Sequence, residues 1–89
     1  MVLSLITRQF RLILETLLLS EGGFGNEQIA AKLELREFAV KEYQRQSKRF
    51  SAENWKQAVR DCLQVDLDIK SGKAAEETAV ELLIVRYAA

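Results

Sequence analysis

The residues best placed to do chemistry are charged groups set into apolar helix faces. Asp66 lies four residues after Cys62 and four before Lys70, at the edge of a face that carries Val65 and Ile69. A carboxylate withdrawn from water must be paired or hydrogen-bonded, because desolvation penalises the ion. Arg8, embedded in the first apolar stretch, is the attractive counter-ion, so Arg8 and Asp66 are expected to form a structural ion pair between two helices. Acid–base or nucleophilic catalysis would require two carboxylates held close or desolvated enough to separate their pKa values. The other acidic residues do not suggest that. Glu76 and Glu77 fall in the first turn of a helix, where the dipole favours them, and Asp61 falls on the polar side of its own helix.

The sequence contains no histidine and one cysteine, Cys62. Imidazole-based catalysis, a disulfide framework and zinc sites of the usual Cys/His kind are thereby excluded, and Cys62 reads as a small core residue in a protein of the reducing cytoplasm. Gly22-Gly23-Phe24-Gly25 is glycine-rich, but Asn26-Glu27 follows it and no strand precedes it. A phosphate-binding loop needs Lys-Ser or Lys-Thr at the start of the next helix, so the segment reads as a turn. No catalytic residue, metal ligand or cofactor is expected, and no small-molecule substrate.

Steps of three and four organise the chain throughout. Helix 1 is expected from about Leu3 to Ser20, with Ser4, Arg8, Arg11 and Glu15 as one narrow polar stripe. The glycines at 22, 23 and 25 end it, and Asn26 is the expected N-cap of a short helix reaching Leu33. After a turn at Glu34 and Leu35, a third helix is expected from about Glu37 to Arg49, with Val40, Tyr43 and Phe50 inward. Ser51 should cap a fourth helix that places Trp55, Ala58, Val59, Cys62, Val65 and Ile69 on one side and stops at Gly72. A fifth is expected from about Ala75 to Tyr87. No segment alternates with period two, so the expected fold class is all-α, a bundle of about five helices.

Helices 1 and 5 are apolar around most of their circumference. Three shorter amphipathic helices cannot cover both, so part of that surface is expected to meet another chain or further helices. Leu82, Leu83, Val85 and Tyr87 are the expected partner-facing residues.

The chain has 89 residues, 48% of them hydrophobic and 29% charged, with no proline. That describes one ordered helical domain with a modest core. Thirteen basic residues balance thirteen acidic ones, so no overall field draws it to nucleic acid or an anionic membrane. Arg8, Arg11 and Glu15 interrupt the apolar N-terminal stretch too often for a spanning helix. Because Met1-Val2 opens inside the helical pattern without a cap, residues 1–89 are expected to be a single helical domain from the C-terminal part of a longer chain.

Two families of function remain. Helix 2, turn and helix 3 set Ala30, Glu34 and Val40 at offsets used by helix-turn-helix proteins, with Lys41, Arg45 and Lys48 on one face for phosphates. The missing turn glycine at 34, the acidic Glu37 and Glu42, and the zero net charge weaken that alternative.

The other reading comes from a likeness. Arg8-Gln9-Phe10-Arg11-Leu12, Ile29-Ala30-Ala31-Lys32-Leu33 followed by Val40-Lys41, Arg49-Phe50-Ser51, and Asp66-Leu67-Asp68-Ile69-Lys70-Ser71-Gly72 before a leucine-rich last helix occur in an order and spacing that resembles the C-terminal collar domain of the delta subunit of bacterial DNA polymerase III. The family usually has Leu-Gly and then His-Pro between the second and third helices; Leu33-Glu34 and Arg36-Glu37 stand here, which questions the turn geometry. The resemblance implies a noncatalytic assembly domain that joins other clamp-loader subunits during DNA replication, with ATP hydrolysed elsewhere and further collar helices upstream of Leu3. It also implies that Lys70 and Lys73 lie near the primer-template DNA.

Overall fold

The computed structural model describes residues 2–87. Five α-helices follow one another: α1 (Val2–Glu21), α2 (Asn26–Leu33), α3 (Glu37–Ser47), α4 (Ala52–Lys70) and α5 (Glu76–Tyr87), with no strand among the described residues. The all-α expectation holds, and the long helices end within a residue or two of their expected bounds. Two details differ. The N-cap of α2 is Gly25, not Asn26, and the Gln28 side chain accepts the hydrogen bond of the Gly25 N–H at 2.9 Å. Helix α3 ends at Ser47, two residues early, in a tighter turn closed by the Arg49 N–H on the Gln46 carbonyl at 3.1 Å, and Trp55 Nε1 donates to the Ser47 carbonyl at 3.0 Å inside the core.

Helices α1 and α4 form the spine. Leu3 packs with Cys62, whereas Ile13 packs with Trp55 and Ala58, so the two helices run antiparallel. Helix α5 lies against both, with Val80 and Leu83 in the Leu3–Cys62 cluster and Tyr87 reaching the Ile13–Trp55 cluster. Phe10, Phe50, Trp55 and Tyr87 close the centre in a ring of edge-to-face contacts, with centroids 5.1–6.1 Å apart. Each such pair contributes about 0.5–1.5 kcal/mol beyond its burial, and this ring ties α1, α4, α5 and the residue before the α4 cap together. A separate small cluster of Ile29, Ala30 and Val40, with Leu19, Leu33 and Leu35 around it, holds α2 and α3 to the end of α1.

Three helices stop in the same way. Gly23 (φ 93°), Glu34 (φ 56°) and Gly72 (φ 81°) take left-handed backbone conformations. In each case the next residue's N–H reaches back five residues: Phe24 to Leu19, Leu35 to Ala30 and Lys73 to Asp68, at 2.8–3.1 Å. These bonds satisfy carbonyls that the helix end would otherwise leave open. At Glu34 the chain makes this turn without glycine, so the departure from the family pattern leaves the geometry intact and adds the steric cost of a Cβ in the left-handed region. Ser51 caps α4 as expected, accepting from the Asn54 N–H at 3.1 Å.

Candidate functional site

Helix α5 packs through Ala79, Val80 and Leu83, all buried, and leaves Leu82, Ile84 and Val85 facing out at 67%, 48% and 73% exposure. Of the four residues expected to face a partner, Leu82 and Val85 are therefore on the surface. Leu83 sits in the core with Leu3 and Cys62, and Tyr87 is half-buried in the aromatic ring. Sequence could not separate them, because an almost uniformly apolar helix carries no stripe to mark its inner side.

A polar contact that sequence does not reveal joins the end of α5 to α4 beside this packing. Tyr87 Oη donates a short hydrogen bond to Asp61 Oδ2, Gln57 Nε2 donates to Oδ1 of the same carboxylate at 2.9 Å, and Arg86 Nη1 stands 3.5 Å from Oδ2. Burial alone would push the Asp61 carboxyl up; the hydrogen bonds from Tyr87 and Gln57 and the Arg86 charge outweigh it and hold the group below its ordinary value. Burial and then the Asp61 contact push the Tyr87 phenol up to about 12. Helical periodicity puts Asp61 on the polar side of α4, and a partner 26 residues away leaves no local trace. The arrangement is structural: the hydrogen-bonded tyrosine holds the carboxylate ionised, the opposite of what a general acid needs.

A groove of about 280 Å³ runs between α1 and α4, and both segments singled out by sequence meet in it: Arg8 and Arg11 from the first, Asp66 and Lys70 from the second. Arg8 and Asp66 thus line one groove. The ion pair that Asp66 makes is with Lys70, Nζ to Oδ2 2.8 Å, one turn along its own helix, where the i,i+4 geometry needs no rearrangement. The Arg8–Asp66 pair is not among the ion pairs of the described residues, and Asp66 is about one-third exposed, at 32%. Cys62 forms part of the floor; burial is the main influence that pushes its thiol up, so it is a poor nucleophile.

Lys73 does not join Lys70 there but lines a second groove, of about 580 Å³, between α4 and α5 with Asp61, Asp68 and Arg86. Lys70 and Lys73 are both exposed. The α2–turn–α3 unit places Lys41, Arg45 and Lys48 on the surface as expected. Arg45, however, is engaged by Glu42 through two of its nitrogens, at 3.1 Å from Nε and 2.5 Å from Nη2. Hydrogen bonds from Arg45 and Gln46 in turn hold the Glu42 carboxyl down at about 2. Phe38, 69% exposed, and Glu37 occupy the first turn of the same helix. A recognition helix needs free cations at its groove-facing end, and this face does not favour duplex binding.

Among the described residues no group of three or more His, Cys, Asp or Glu side chains could hold a metal ion, and no helix is long and apolar enough to cross a membrane.

Comparison with known proteins agrees with this architecture. A family model described as the DNA polymerase III delta subunit, C-terminal domain, matches residues 1–87. The Bacillus subtilis (strain 168) protein named DNA polymerase III subunit delta is 34% identical over 85 residues, covering 96% of this chain and 24% of the relative. The solved structure of the Bacillus subtilis DNA clamp loader delta protein superimposes with a TM-score of 0.86 at 34% identity, over 94% of this chain and 25% of that one. The chain therefore spans about a quarter of the length of the relatives it matches. With the family model covering nearly every residue, the chain belongs to the family formed by the C-terminal domains of DNA polymerase III delta subunits.

Proposed function

We propose that this domain is a noncatalytic assembly module of a DNA polymerase III clamp loader, joining its parent delta subunit to the other loader subunits during DNA replication. The observation that carries this reading is the exposed apolar pair Leu82 and Val85, three residues apart on the outer side of α5, with Ile84 exposed on the other flank beside α1, all left uncovered by the fold. The family supplies the setting, since the relatives are named as clamp-loader delta proteins. Leu5 on α1 and Leu63 and Leu67 on α4, each more than half exposed, extend the apolar excess beyond α5. Catalysis by the domain itself has no support in its residues: Asp61, which faces Tyr87, Gln57 and Arg86, is locked into a structural hydrogen bond. Lys70 and Lys73 would make at most local contacts with DNA phosphates.

The test is gel filtration with light scattering of this chain mixed with the C-terminal domains of the other loader subunits, with a labelled DNA duplex in a parallel run. Co-elution with those domains is expected, and Leu82→Asp with Val85→Asp should abolish it while helicity and melting stay close to those of the parent. Association that survives both substitutions would remove α5 from the interface, and duplex binding without any protein association would overturn the assembly reading.

A further inference from the structure

The α1–α4 groove has a composition that packing alone does not require. Its apolar lining is the buried Leu3 and Cys62 and the half-exposed Leu63, beside Ser4 and Thr7, and it carries three cations, Arg8, Arg11 and Lys70, against one carboxylate, Asp66. Asp66 is already taken by Lys70. Arg8 and Arg11 make no ion pair among the described residues and stand exposed on the same side of α1. The contrast with α3 is direct, since there the comparable guanidinium of Arg45 is closed off by Glu42.

We infer that this groove docks an acidic helical segment of a neighbouring protein subunit, one that presents two carboxylates a turn apart and an apolar side chain between them. The inference rests on the assembly reading above and adds the chemistry of the partner. Residues three apart on a helix lie about 5–6 Å from each other, so Arg8 and Arg11 match carboxylates at i,i+3 or i,i+4 on a helix laid alongside α1. Guanidinium forks take carboxylates two bonds at a time, which fixes register as well as attraction. The apolar floor selects the class of partner. A helix buries a leucine or isoleucine against Leu63, whereas a nucleic-acid backbone would leave Leu63 uncovered and bring phosphates against Asp66. The polar stripe of α1 is then a register device beside the apolar contact of α5.

The deciding experiment compares this chain, Arg8→Glu with Arg11→Glu, and Arg8→Lys with Arg11→Lys for binding to the C-terminal domains of the other loader subunits at low and high salt, with a labelled DNA duplex as a separate probe. Both arginines are exposed, so circular dichroism and melting should match the parent in every variant. The expected result is at least about tenfold weaker association for the Glu variant, an intermediate loss for the Lys variant, and a salt dependence that is steep for the parent and shallow for the Glu variant. Equal binding by parent and Glu variant would overturn the groove while leaving the assembly reading standing. Absence of binding by the parent itself would overturn the assembly reading, and this inference with it. Duplex binding that requires Arg8 and Arg11 would identify the occupant as nucleic acid and overturn the proposal.

Discussion

The body built from α1, α4 and α5 and the arm built from α2 and α3 are held by different kinds of information. In the body, residues far apart in sequence meet: Leu3 with Cys62 and Leu83, Phe10 with Trp55 and Tyr87, Asp61 with Tyr87. In the arm the signals are short-range. Gln28 bonds the Gly25 N–H, Glu34 turns the chain, Glu42 holds Arg45, and a cluster of three buried residues suffices for the interior. The difference teaches that the body is assembled by contacts between distant segments, whereas the arm is shaped by local ones and joined to the body through Leu19, Tyr43 and the Ser47 carbonyl.

The sharpest way to break this contrast is Leu83→Asp, which sets an unpaired carboxylate into the Leu3–Cys62 cluster. A loss of about 4 kcal/mol or more is expected, enough to remove cooperative unfolding from a domain of this size. Thermal denaturation followed by circular dichroism reads it, and hydrogen exchange in α2 and α3 should lose protection at the same time. Continued protection there would show that the arm folds without the body. Tyr87→Phe should cost about 1.5 kcal/mol, as expected for a hydrogen bond to a charged group.

Its pH dependence sharpens the comparison further. Because the folded Asp61 carboxyl is held below its ordinary value, its contribution is present above the unfolded carboxylate pKa and disappears as the pH falls through the lowered one. Tyr87 is raised to about 12, so its contribution is present below the ordinary phenol value of about 10 and disappears as the pH rises through 12. Urea midpoints of parent and Tyr87→Phe should therefore differ most near neutrality and converge at both extremes.

Thr16 stands on α1 between Ile13, in the Ile13–Trp55 cluster, and Leu19, which packs against the arm. It is fully buried, and its hydroxyl has no hydrogen-bond partner among the described residues. Thr16→Val keeps the shape and removes the unpaired oxygen, and a gain of about 1 kcal/mol in urea unfolding is expected. In the arm, Glu34→Gly relieves the left-handed strain, partly offset by the greater freedom of glycine in the unfolded chain. The net gain should be about 0.5 kcal/mol, seen as a rise of a few degrees in Tm. A loss on this substitution would mean that the Glu34 side chain contributes something its exposed position does not suggest.

The same division governs what could be read from sequence. The helices, the Ser51 cap and the glycine stops at 23 and 72 were legible, because period, capping chemistry and backbone freedom are local properties. The ion pair expected between Arg8 and Asp66 is not among those of the described residues; Asp66 pairs with Lys70 instead, a choice between two cations near one carboxylate that the spacing alone did not decide. The inward direction of Leu83 and the part played by Asp61 were hidden. Both are decided by how α5 rolls against α4, and only the assembled interior supplies that constraint.

Cys62 gives the body a built-in reporter. It is the chain's single thiol, fully buried between α1, α4 and α5, and its raised pKa keeps it in the unreactive protonated form. Because Cys62 is fully buried beneath the α1–α4 groove, a thiol reagent reaches it when that seam opens, so the labelling rate under native conditions reads the opening of the body. The molecule can thus be clocked as it breathes, alone or in the presence of a partner, and a partner that clamps α5 to the spine would slow that clock without any engineered probe.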